Sequence, residues 1–121
     1  MENINQQKRY GMSWNTNMDY EVILSHTASA QAERILDYIF YELKNPQAMQ
    51  SVETDMKETA ERLSHTAGSL KLCDDKKLRE KGYRTIHFKY HRYFMLYKIV
   101  EKQAYVVGIY HDLQDYENVL R

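Results

Sequence analysis

The sequence predicts an α+β domain: an N-terminal strand, an antiparallel helical hairpin, and a mainly antiparallel four-stranded sheet on which the hairpin packs. Three observations carry this expectation. Residues 83–111, YRTIHFKYHRYFMLYKIVEKQAYVVGIYH, have the β-branched and aromatic content of consecutive strands, with no proline to interrupt pairing. Upstream, two stretches repeat apolar residues at helical spacing. Asn45-Pro46 separates those stretches by so short a break that the two helices must fold back on each other.

A chain of 121 residues, 43% hydrophobic and 28% charged, fits one globular domain with a sizeable core. No apolar run approaches the ~20 residues of a membrane span. The first 17 residues lack the apolar centre of a signal peptide, so the expected location is the cytoplasm, with no membrane partner. Cys73 is the single cysteine, which excludes an intramolecular disulfide.

Net charge is zero, but it is unevenly spread. Residues 18–63 hold four Lys/Arg and nine Asp/Glu, residues 71–98 hold nine against three, and the last 23 residues hold two against four. Two readings stay open: the basic half presents a surface to a polyanion, or the two halves attract each other within the fold.

In chain order, residues 1–17 are polar and aperiodic and read as a disordered or loosely attached extension with Trp14 as its one large apolar anchor; residues 18–121 form the domain. Residues 19–25 read as a strand with Tyr20, Val22 and Leu24 on one face and Ile23 on the other. Thr27 is the expected N-cap of a first helix whose stripe is Ala32, Ile35, Leu36, Ile39, Phe40 and Leu43. Pro46 suits the first turn of a second helix, with Ala48, Val52, Met56, Ala60 and Leu63 along one side.

Residues 65–82 read as a crossing connection with a short strand at 70–72, and Gly82 turns the chain into the sheet. Three strands follow at 83–89, 93–100 and 104–110, joined by tight turns. Ile86 and Phe88 share one face of the first; Thr85, His87 and Lys89 share the other. The middle strand is apolar on both faces, as a central strand should be. Residues 112–121 add a last helical turn through Leu113, Tyr116 and Leu120.

The chemistry-bearing side chains gather in the sheet region. His87, on the polar face, is a candidate general base or acid. His91 and Arg92 lie in a turn beside Tyr90, a setting for phosphate contact. The histidines of this region lack a cysteine or paired carboxylate to complete a metal set, and no cofactor motif occurs, so neither metal nor cofactor is expected.

"GYR" opening the second strand, the Tyr93–Tyr97 Y-x-x-x-Y of the third, and V-x-I-x-H leading into D-x-x-x-x-L at the end make the chain resemble the RelE/ParE superfamily of type II toxins. The resemblance spans residues 20–120. It implies a RelE/ParE-like fold and a toxin neutralised by a cognate antitoxin. RelE-like members cleave mRNA in the ribosomal A site; ParE-like members inhibit DNA gyrase and cleave nothing themselves.

On the first pattern, His87 and His111 are the acid–base candidates and Arg84 the charge stabiliser, with Lys81, Lys89, His91, Arg92 and Tyr93 contacting RNA. The sequence departs from that pattern in two places. Phe94 stands where mRNA-cleaving members have an arginine, and Asp112, Leu113 and Gln114 stand where they have a basic cluster. Each missing cation is worth about 3 kcal/mol of transition-state stabilisation, so cleavage requires a histidine-based site. The expected activity is ribosome-dependent mRNA cleavage without metal. The alternatives are gyrase inhibition, or an inactive toxin retained to bind its antitoxin.

Overall fold

The structure, a computed structural model, describes residues 8–10 and 19–112. In order these form β1 (Lys8–Tyr10), β2 (Glu21–Leu24), α1 (His26–Asp37), a π-helical turn (Tyr38–Glu42), α2 (Pro46–Thr66), a 3-10 turn (Ala67–Ser69), α3 (Lys76–Glu80), β3 (Arg84–His87), β4 (Tyr93–Val100) and β5 (Gln103–His111). The four expected strands make a mixed sheet, β2-β5-β4-β3, in which only the β2–β5 pair is parallel. Trp14 and the expected last helical turn lie outside the described residues.

Five local expectations are corrected. Lys8–Tyr10, assigned to the loose extension, pairs antiparallel with β2 as a fifth, edge strand. The N-cap of α1 is Ser25, not Thr27: Ser25 keeps an extended backbone and its Oγ accepts from the Ala28 N–H at 3.0 Å. The first helix does not stay α-helical to its end but loosens at Tyr38–Glu42. The connection at 65–82 contains α3, because the Asp75 carboxylate caps the Leu78 N–H at 3.1 Å and starts a helix in the basic run. Gly82, at φ +86°, supplies the left-handed turn that ends it. Of the strand expected at 70–72, a single bridge from Leu72 to Arg84 forms.

The hairpin forms as its sequence predicts, except that Phe40 and Leu43, expected on the apolar stripe of the first helix, stand exposed. The Asn45 side chain caps α2 at the Ala48 N–H, with Pro46 in the first turn. Val52, Met56, Ala60 and Leu63 of α2 bury against Val22, Leu24, Ile86, Met95, Tyr97, Val106 and Ile109. Each large side chain so buried contributes about 2 kcal/mol. The opposite face of the sheet is not open along its length. Phe94, Leu96 and Tyr110 pack there with Cys73 and Leu78, so α3 and its approach cover a second, smaller core. Gly108 leaves the space that the Tyr110 ring occupies, since a Cβ there would come within 2.5 Å of it. None of the described helices is long and apolar enough to cross a membrane.

Candidate functional site

The tip between β3 and β4 projects beyond the sheet, and it is fastened to α2. Asp55, 2% exposed, accepts from the Lys89 N–H at 3.1 Å, the Tyr90 N–H at 2.9 Å and His91 Nδ1 at 2.7 Å. Burial pushes this carboxyl up, but the His91 ring and the two backbone donors outweigh it and hold Asp55 below its ordinary value. Arg62 adds a second tie, donating to the His87 carbonyl at 2.9 Å and to Thr59 Oγ1 at 3.2 Å. Three donors on one buried carboxylate fix the turn, so Tyr90 can stand 69% exposed on a rigid base with the Lys89 ammonium 5.5 Å from its ring. Arg92 is also exposed.

The alternation of the strands decides which candidates meet. His87 lies opposite Phe94, and Phe94 opposite Tyr110, so all three share the α3-covered face. There His87 Nδ1 is 3.6 Å and Arg92 Nε 3.8 Å from the Asp112 carboxylate. Thr85, His87, Phe94 and Asp112 line a shallow cavity of about 140 Å³. His111 lies opposite Tyr93, on the helix-covered face, with the two rings edge to face at 5.3 Å. Tyr93 lines a groove of about 270 Å³ with Gln31, Arg34, Ile35, Tyr38 and Ile109, and its phenol is pushed up by burial and by Tyr38.

Arg84 is on the helix-covered face as well, but at the other end of the sheet. It pairs with Tyr97, four residues and thus about 13 Å along β4 from Tyr93. Its guanidinium donates to the Gly68 and Leu70 carbonyls. The Tyr97 hydroxyl, whose pKa burial raises, donates to the Ala67 carbonyl at 2.7 Å, so both side chains hold the turn after α2. Lys81 is exposed at the end of α3, beyond the opposite end of β3 from the tip.

The structure therefore gathers His87, Lys89, His91 and Arg92 at the tip, sets Tyr93 and His111 beside its base on the helix-covered face, and leaves Arg84 and Lys81 toward the other end of β3. Sequence reasoning missed Asp55, the residue that organises the tip. A signal was present: Asp55 falls between Val52 and Thr59 on the buried stripe of α2, where an acidic residue needs a partner. Among the described residues, no group of three His, Cys, Asp or Glu side chains is placed to hold a metal ion.

Comparison with known proteins agrees with the topology. The family model for the ParE toxin of type II toxin-antitoxin system, parDE, matches residues 22–116. A chain of the solved chromosomal ParDE TA system from P. aeruginosa superposes with a TM-score of 0.63 at 17% identity, covering 79% of this chain and 98% of that one. No curated protein matches the sequence.

Proposed function

Because the chain belongs to the ParE toxin family of type II toxin-antitoxin systems, we propose that it is a toxin that acts by binding rather than by cleavage, with DNA gyrase as its target. This reading takes the place of mRNA cleavage, the first expectation from the sequence. The observation that carries it is the placement of the acid–base candidates: His87 and His111 project from opposite faces of one sheet. A general acid and a general base must each come within about 3 Å of groups on the same phosphate, and side chains on opposite faces of a sheet do not favour that. Arg84, the third candidate, spends its guanidinium on backbone carbonyls.

In this reading the rigid tip, with Lys89, Tyr90 and Arg92 exposed, is the contact element. A fixed aromatic ring flanked by cations suits a macromolecular surface, because little side-chain freedom is lost when it docks. The neutralising partner is a cognate antitoxin. Tyr38, Tyr41 and Leu43, each more than half exposed beside Phe40, offer it an apolar face. The cytoplasm is the location that fits both proposed partners.

The test is a supercoiling assay with purified gyrase and the purified toxin, paired with primer extension on transcripts from arrested cells. Loss of supercoiling with intact transcripts is expected. Cleaved transcripts with unimpaired supercoiling would overturn the reading and restore mRNA cleavage. No effect on growth at all would instead identify an inactive toxin.

A further inference from the structure

A second constellation lies beneath the tip, on the α2 side. The Asp55 carboxylate can only accept, so the His91 nitrogen 2.7 Å from it, Nδ1, carries a proton. In the neutral ring Nε2 is then bare, and the hydroxyl 3.3 Å from it, Ser51 Oγ, must be the donor. Asp55 thus fixes the tautomer, and His91 is set to draw the proton from Ser51. Ser51 and Asp55 meet one imidazole because they stand four residues apart on one face of α2. A nucleophile within hydrogen-bond reach of a base, with the base oriented by a buried third group, is the arrangement that activates serine in acyl transfer.

Ser51 and Asp55 of this set line a cavity of about 470 Å³ together with Gln47, Gln50, Thr54, Glu58 and Tyr90. The side-chain amides and hydroxyl are neutral hydrogen-bonding groups, while the Glu58 carboxylate disfavours anions. The Ser51 N–H is inside α2, so no backbone pair is available at the nucleophile to hold an oxyanion; only side-chain amides such as those of Gln47 and Gln50 line the space. That restricts the chemistry to acyl groups with good leaving groups.

We propose that Ser51, His91 and Asp55 form an acyl-accepting site for small, neutral, activated carboxylic esters, independent of the toxin's action on its target. Ser51 Oγ attacks the carbonyl carbon as its proton passes to His91 Nε2, and Asp55 stabilises the imidazolium. Collapse of the tetrahedral adduct breaks the bond to the leaving oxygen, which takes the proton from Nε2. Acyl-Ser51 remains, and water activated by the same imidazole releases the carboxylic acid and restores the hydroxyl.

The full-length protein is treated with p-nitrophenyl acetate, with nitrophenolate release followed and the adduct located by peptide mass spectrometry. The expected result is acetyl-Ser51. His91→Gln should slow its formation about 100-fold, the usual worth of a general base. Ser51→Ala, a change at an exposed helix position, should abolish the Ser51 adduct and the fast release while leaving the thermal midpoint unchanged. Acetylation confined to lysines, equal labelling of Ser51 in His91→Gln, or undiminished release from Ser51→Ala would each overturn the proposal.

Discussion

Asp55 bears three donors on a carboxylate almost without solvent, so it shows most directly what one residue does here. Asparagine in its place keeps the volume but turns an N–H₂ toward groups that themselves donate. Leaving such donors unmatched costs about 2–3 kcal/mol, so Asp55→Asn should lower the thermal midpoint by roughly 10 °C. The pH dependence has a definite sign. The carboxyl is held below its ordinary value in the folded state, so its contribution is complete above the unfolded aspartate range and is lost as pH falls through the depressed folded value. The stability gap between wild type and Asp55→Asn should therefore be constant near neutral pH and close only below about pH 4. Thermal melts of both proteins across acid pH check this, and a gap that closed near pH 6 would point to another group.

At the scale of elements, the exposed apolar run after α1 makes a separate prediction. Replacing Tyr41 and Leu43 with aspartate removes two exposed side chains that no core depends on. Growth arrest should persist while antitoxin affinity falls at least about tenfold, as expected for aromatic anchors in an interface; titration calorimetry with the antitoxin measures it. Most elements were legible in the sequence. The hairpin followed from a helical apolar stripe and a proline in a first turn, and β4 from its apolar run on both faces. The misses have physical causes. Ser25 and Thr27 are both good caps, and only the backbone angles choose between them. In the basic run of α3, a single buried Leu78 gives no periodicity to read. The clustering of cations at the tip could be read along the chain, but the face on which His111 falls could not, because the register that sets the face is not local.

For the whole molecule, the described residues leave a group of cations of the basic half exposed on one side. Lys71 pairs with nearby Asp74, Arg92 faces Asp112, and Lys76, Lys77, Arg79, Lys81, Lys89 and Arg92 are exposed on α3 and the tip. This basic surface belongs to the same side of the sheet as His87, since Leu78 of α3 packs on Phe94, Leu96 and Tyr110. A target carrying negative charge should then bind this side, more weakly as salt shortens the range of attraction to about 8 Å. Reversing Lys76 and Lys77 to glutamate isolates the effect. Both sit in the first turn of α3, where negative charge is favourable to the helix by a few tenths of a kcal/mol. Folding should thus be unharmed or slightly improved while inhibition of the target weakens by about tenfold and its salt dependence flattens. Supercoiling inhibition measured at several ionic strengths checks this. Equal potency in the variant would mean that the basic face is only solvated surface and that contact is confined to the tip.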